Sequence, residues 1–151
     1  MYAELLAALE SSALGHAARH SAWLFTLANL LHVLGAALLV GAVAVFDVGV
    51  LARRGREAWA IAPTALRIAA GGLLLQIPTG LVLLAVEARA LGQNPVFLAK
   101  MGLIALGLVN VALFHRRFRT MDDLAAARPY AAVSLGAWTL ALLAGRLIAY
   151  V

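Results

Sequence analysis

One histidine, His32, stands near the middle of an apolar segment long enough to cross a bilayer, and it shares a helical face with Asn29 and Asp47. Ionisable side chains are costly in hydrocarbon, so this face should contact protein, water or a bound group rather than lipid. A neutral imidazole is a common ligand of haem iron and of transition metals. The position of His32 therefore predicts a polar site inside a membrane-spanning helix.

A polar layer at the depth of His32 would hold such a site. A helical rise of about 1.5 Å per residue, counted inward from the predicted outer helix ends, places His32 and Gln76 roughly 15 Å deep, with Thr139 at a similar level. We expect Gln76 to orient His32. Three further residues are expected to line the pocket or its entrance: Asn29, Lys100 and Asn110.

Two interpretations of His32 follow from these neighbours, and the sequence leaves both open. In one, the imidazole hydrogen-bonds to Gln76, Thr139 or a backbone carbonyl and fixes the register of the helices. In the other, His32 binds haem b or a transition metal ion, because small residues such as Gly35 and Gly72 permit close helix approach but could equally leave space for a flat ligand. The second axial ligand of a six-coordinate haem would have to be His16, His20, a deprotonated Lys100 or His32 of a second subunit.

The composition places the whole chain in a membrane. Of its 151 residues, 64% are hydrophobic and only 13% are charged, which exceeds the apolar content of a soluble domain. The length suits a single membrane domain, residues 1–151. The net charge of +5 is concentrated at the ends of apolar segments, a pattern that indicates membrane topology rather than nucleic-acid binding. The absence of cysteine excludes a disulfide or a thiolate metal site.

The apolar segments predict an all-α, integral membrane four-helix bundle. Each segment is near the roughly 20 residues that cross the hydrocarbon core of a bilayer. The predicted spans cover residues 22–51, 63–86, 96–114 and 130–150. Before them, leucines recur at helical spacing within residues 1–20, with acidic and hydroxyl side chains elsewhere around the helix. This pattern predicts an N-terminal amphipathic helix that lies in the membrane interface.

The arginines predict the topology. They cluster after the first and third spans, at Arg53, Arg54, Arg56, Arg116, Arg117, Arg119 and Arg128. By the positive-inside rule, these loops face the cytoplasm and both termini lie outside it, in a cell inner membrane. The charge pairs expected within the bundle are Asp47 with Arg67, and Glu87 with Lys100 or Arg146.

Two stretches resemble an uncharacterised family of small four-helix bacterial inner-membrane proteins. They are residues 31–41 leading to Phe46 and Asp47, similar to the family's first helix, and residues 97–100 followed by Asn110 and residues 114–116, similar to its third. More distantly, the His-Gly-Gly and Lys-to-Asn patterns are similar to the membrane domain of copper-resistance D proteins, which are implicated in copper uptake. This resemblance implies functional roles for His32, Lys100 and Asn110. Cuprous ions favour thiolate and thioether ligands, so a chain without cysteine and with three methionines would need an imidazole-based site.

The leading functional hypothesis is a multi-pass membrane protein that binds haem or a transition metal through His32 and supports electron transfer or metal handling. One alternative is a non-catalytic structural or accessory subunit whose polar layer only packs helices. Another is a small ion or copper transporter with Asp47, Arg67 and the His32 layer along its route. The expected partners are the lipid bilayer and either further copies of the chain or a larger membrane complex. No nucleotide-binding loop, serine-hydrolase elbow or zinc-protease motif indicates an enzyme.

Overall fold

The computed structural model describes residues 1–118 and 123–150, and these ranges are helical apart from short connections. The helices in chain order are α1 (Tyr2–Glu10), α2 (Ala13–His20), α3 (Ala22–Leu51), α4 (Gly55–Val86), α5 (Ala88–Gln93), α6 (Pro95–Arg117) and α7 (Leu124–Leu147), followed by a 3-10 turn over Ile148–Tyr150. Arg119, which the sequence places in the second basic cluster, lies outside the described residues.

Four of these helices, α3, α4, α6 and α7, are long and apolar enough to cross a membrane. In the most apolar window of each helix, no more than 28% of the residues are buried inside the protein. A helix that is apolar on its outer faces needs hydrocarbon around it, and its backbone groups are already satisfied by its own hydrogen bonds. The structure therefore confirms four apolar helices long enough to span a membrane, and they support the multi-pass helical bundle that the composition predicts.

Helix α4, which contains the second predicted span, begins earlier in the chain than predicted. α4 begins at Gly55, whereas the apolar pattern predicts a start near Pro63. Both Gly55 and Ala58 are buried, and Ala58 packs against Gly49 near the end of α3. This contact stabilises the first turns of α4, which hydropathy alone does not predict to be helical. Pro63 then lies inside the helix, where it removes one backbone hydrogen bond.

The N-terminal segment forms two short helices rather than one continuous helix over residues 1–20. The chain leaves α1 at Ser11, and Ser12 then serves as the N-cap of α2. The Ser12 hydroxyl oxygen accepts a hydrogen bond from the Gly15 backbone nitrogen at 3.2 Å. Serine is preferred at this position because its side chain satisfies a first-turn N–H group. The paired serines therefore divide the predicted helix.

Arg19 holds these two helices against the end of the bundle. Its guanidinium donates to the backbone carbonyls of Ala85 and Val86, at 3.3 and 3.1 Å, and to the carbonyl of Glu10 at 2.8 Å. Carbonyl groups in the last turn of a helix lack partners within that helix. One arginine thus satisfies the ends of both α1 and α4. The Glu10 carboxylate also accepts from the backbone nitrogen of Arg89 at 2.9 Å, which ties α1 to α5.

The closest helix contact joins α3 to α4. A Cβ atom on Gly72 would lie 2.6 Å from the carbonyl oxygen of Gly35, and a Cβ atom on Gly35 would lie 2.8 Å from the carbonyl oxygen of Gly72. Only glycine at both positions lets the two backbones approach this closely. Small residues promote helix association in membranes for the same reason.

The remaining packing leaves one side of the bundle open. α3 packs between α4 and α7, and α7 packs between α3 and α6. In the part of the chain that the structure describes, α4 and α6 form no comparable packed interface. The four long helices therefore follow the order α4, α3, α7, α6, with a gap between the first and last.

The two connections with clustered arginines lie at the same end of the bundle. Val50 and Ala58, which flank the first connection, belong to one buried cluster with Phe114, Phe118 and Ala127, which flank the second. We call this the arginine-rich end. The helices α1, α2 and α5 pack together at the opposite end.

Candidate functional site

His32 is half-buried on α3 and hydrogen-bonds to α4. Its Nδ1 atom lies 3.0 Å from the hydroxyl oxygen of Thr79. That hydroxyl donates to the backbone carbonyl of Leu75, one turn earlier in α4. Since a hydroxyl has one hydrogen to donate, Thr79 accepts from the imidazole. The Nδ1 atom of His32 therefore carries its proton, and Nε2 retains a free lone pair.

The imidazole lies in a narrow space between the helices. A Cβ atom on Gly80 would lie 3.1 Å from Cε1 of His32, so glycine makes room for the ring. The backbone carbonyl of Gln76 and the side chain of Lys100 are further polar groups in the neighbourhood of the ring. The Lys100 side chain lies across Gly145 of α7, with Nζ 3.2 Å from where a Cβ atom would be. Two helices, α4 and α6, thus place polar groups near this histidine.

The side chain that hydrogen-bonds His32 is Thr79, whereas the sequence predicts Gln76. The Gln76 side chain packs instead toward α3, with Cγ 3.1 Å from the position of a Cβ atom on Gly35. Thr79 follows Gln76 by three residues and therefore lies on nearly the same face of α4. That spacing is the signal from which Thr79 could have been predicted.

Two other predicted site residues lie away from His32. Asn29 is exposed on the outside of α3. Asn110 is buried, and its Nδ2 atom donates to the backbone carbonyl of Tyr130 at 3.0 Å. Asn110 belongs to the half of α6 near the arginine-rich end, whereas Lys100 belongs to the opposite half. The structure thus groups Gln76 and Lys100 with His32 and separates both asparagines from them.

Replacing Thr79 by valine is expected to remove the acceptor of the His32 Nδ1 proton and to destabilise the α3–α4 contact by about 1 kcal/mol. Unfolding in detergent measures the loss of stability, and ¹⁵N NMR of the histidine ring shows which nitrogen carries the proton. The matched control is Thr139→Val, because Thr139 forms no hydrogen bond within residues 1–118 and 123–150. A wild-type spectrum with the proton on Nε2 would contradict the assigned tautomer.

A metal ion would find one free histidine nitrogen at this position. Among the described residues, no three His, Asp or Glu side chains are grouped so that they could hold a metal ion together. The stacked pair of His16 and His20, with ring centroids 4.1 Å apart, is exposed on α2. Metal or haem binding at His32 stays a prediction that would need a second ligand from elsewhere.

A cavity of about 450 Å³ occupies the gap between α4 and α6. Residues of α3, α4, α6 and α7 line it, and it is partly open to the outside. Its volume falls within the roughly 300–1,000 Å³ that is usual for small-molecule sites. His32 does not line this cavity, so the protein has two separate polar regions.

The polar groups of the cavity wall lie toward the arginine-rich end. They include Asp47 of α3, Asn110 of α6 and Ser134 of α7. Toward the middle of the bundle the wall is apolar, with Leu39 and Leu73. At a rise of about 1.5 Å per residue, Leu39 and Asp47 lie about 12 Å apart along the axis of α3. The cavity is therefore an elongated apolar space with polar groups at one end.

Two buried polar atoms of residues in the wall have no partner among the described residues. Asp47 is 3% exposed, and its Oδ2 atom has no hydrogen-bond partner, although its carboxylate interacts with the side chain of Ser134. Trp138 is 4% exposed, and its Nε1 atom also lacks a partner. A buried polar group without a partner costs about 1–3 kcal/mol. The residues of the cavity wall therefore include one unsatisfied acceptor and one unsatisfied donor, and both atoms are buried in the ligand-free protein.

The predicted charge pairs do not form within the described ranges. Arg67 is exposed on α4 and makes no ion pair with Asp47. Glu87 is exposed at the end of α4 and pairs with neither Lys100 nor Arg146. Arg67 points away from α3 because the contact at Gly35 and Gly72 sets the rotation of α4. Asp47 is consequently a buried carboxylate without a basic partner.

No protein-family model, curated protein or solved structure matches this chain. The function must therefore be argued from the site itself. The fold and the site define a multi-pass helical membrane protein with a partly open cavity between two of its spans.

Proposed function

We propose that this protein binds a membrane-soluble amphiphilic small molecule in the cavity between α4 and α6. The observation that supports the proposal is an apolar cavity whose wall includes buried polar groups without partners, Asp47 and Trp138. Buried polar groups in proteins are nearly always hydrogen-bonded. The polar head of a bound molecule would supply the missing partner of Asp47.

The shape of the cavity defines the orientation of this molecule. Its polar head would contact Asp47 and Asn110, and its apolar part would extend toward Leu39 and Leu73. The gap between α4 and α6 provides a lateral route from the lipid. With the arginine-rich end in the cytoplasm, the head would lie at the depth of the inner leaflet. The helices α1 and α2 would then lie at the outer interface.

Filling the cavity is expected to abolish this binding. Ala65 lines the cavity on α4, so Ala65→Phe places a ring inside it. The control is Ala60→Phe, because Ala60 is exposed on the same helix and does not line the cavity. When Trp23 and Trp59 are replaced by phenylalanine, Trp138 is the one tryptophan left in the sequence and its fluorescence can be followed.

The probes are three single-chain amphiphiles with bromine near the tail end and an ammonium, hydroxyl or carboxylate head. Bromine quenches a nearby indole. We expect saturable quenching of Trp138 in nanodiscs by at least one probe, loss of that quenching in Ala65→Phe, and its retention in Ala60→Phe. Identical quenching in both variants with every probe would overturn the proposal.

A second candidate function is metal or haem binding at His32, in electron transfer or metal handling. The observation that favours it is the hydrogen bond to Thr79, which leaves Nε2 of His32 free to coordinate. An absorption spectrum and elemental analysis of gently purified protein test it. A Soret band or a stoichiometric metal that is lost in His32→Ala supports this function. A colourless and metal-free protein contradicts it and leaves the histidine with a packing role.

A further inference from the structure

We infer that the head group bound in the cavity is an organic ammonium ion, with Asp47 as its ionic partner. This inference rests on the proposed function and adds the chemical class of the ligand. It follows from the charge of the cavity, from its free hydrogen-bonding atoms and from its aromatic wall.

The only carboxylate in the described cavity wall is Asp47. No lysine or arginine lines the cavity, and Asp47 forms no ion pair within the described ranges. Burial without a cation favours the neutral form of a carboxyl group, whereas a cation that reaches Asp47 stabilises the carboxylate. Most arginines at the nearby end of the bundle are exposed, where salt screens their charge beyond about 8 Å, and the half-buried Arg128 does not line the cavity. A cationic head therefore complements this cavity, and an anionic head does not.

Amide and carboxylate oxygens at this end of the cavity accept hydrogen bonds. Asn110 uses its Nδ2 atom on the carbonyl of Tyr130, which leaves Oδ1 as its acceptor. Together with Oδ2 of Asp47, this atom calls for a head that donates. An alkylammonium group has three N–H donors and accepts none.

Aromatic side chains surround the same space. They are Phe46, Trp59, Phe114, Tyr130 and Trp138. The face of an aromatic ring attracts an organic cation, and the attraction is stronger where water is excluded. An aromatic wall around one buried carboxylate is therefore suited to an ammonium ion that carries an apolar chain.

The test compares the three brominated probes on the protein in nanodiscs, with Trp138 as the reporter. We expect the ammonium probe to bind most tightly, and Asp47→Asn to weaken it by about tenfold or more while leaving the hydroxyl probe unchanged. The matched control is Asp123→Asn. Asp123 accepts from the Ala126 backbone nitrogen at the start of α7, and asparagine can accept in the same way.

The outcomes separate the two proposals. Equal affinity for the ammonium and hydroxyl probes in the wild type, unchanged in Asp47→Asn but lost in Ala65→Phe, would overturn the inference about the head group and leave the proposed function standing. No saturable quenching by any probe would overturn both. Circular dichroism and a single elution peak for Asp47→Asn establish that the variant is folded.

Discussion

Replacing Gly72 by valine is expected to separate α4 from α3 and to lower the free energy of unfolding by about 3 kcal/mol. A Cβ atom at this position would lie 2.6 Å from the Gly35 carbonyl oxygen and 2.7 Å from the Leu39 backbone nitrogen. These are backbone atoms, so no side-chain rotation can relieve the overlap. Since α4 packs mainly on α3, the cavity should be lost together with the contact.

The control for this variant is the neighbouring substitution Gly71→Val. A Cβ atom on Gly71 would have no atom within 4 Å. Both substitutions change the helix propensity of α4 by the same amount, so their difference isolates the contact with α3. Thermal unfolding in detergent is the measurement. Equal stability of the two variants would contradict the packing described for Gly35 and Gly72.

Replacing Asp47 by leucine is expected to stabilise the ligand-free protein by about 1–3 kcal/mol while abolishing binding of the ammonium probe. The carboxylate is buried with one oxygen unpartnered, and its surroundings are mostly apolar. An apolar side chain of similar size removes the unsatisfied group. A residue that costs stability in the empty protein and is needed for binding is characteristic of a functional site.

The control for the leucine substitution is Asp123→Leu. Asp123 caps α7 by accepting from the Ala126 backbone nitrogen at 3.0 Å, and loss of such a cap costs about 1 kcal/mol. In a denaturation experiment, Asp47→Leu should therefore raise the free energy of unfolding, whereas Asp123→Leu should lower it. If Asp47→Leu lowers the stability as Asp123→Leu does, the carboxylate has a structural role and the cavity loses its polar anchor.

The membrane spans follow from the sequence because hydropathy depends on each segment alone. The open side of the bundle depends instead on which helices pack together, and no single segment contains that information. The close contact at Gly35 and Gly72 determines which face of α4 meets α3, and this rotation then fixes the environment of every other residue on α4.

With that rotation known, the side chains of α4 can be assigned to faces. At 3.6 residues per turn, Thr79 lies about 20° around the helix from Gly72, and Gln76 lies about 40° away. Thr79 is therefore the better placed partner for His32. Arg67 lies about 140° from Gly72, which explains why it faces away from Asp47. The sequence contains these angles, but it does not identify which of the glycines forms the contact.

The central claim is that an open cavity separates α4 from α6, and cysteine cross-linking tests it most directly. The chain has no cysteine of its own, so introduced pairs are unambiguous. A disulfide requires Cα atoms within about 7 Å. Gly49→Cys with Ala58→Cys joins two residues in direct contact, with Cβ atoms 2.9 Å apart, and a shift of about 1 Å to the usual disulfide separation should let them cross-link on oxidation. Ala65 and Val111 lie on opposite sides of the cavity, so we expect no disulfide between Ala65→Cys and Val111→Cys. Cross-linking of this pair as fast as that of Gly49→Cys with Ala58→Cys would contradict the open cavity.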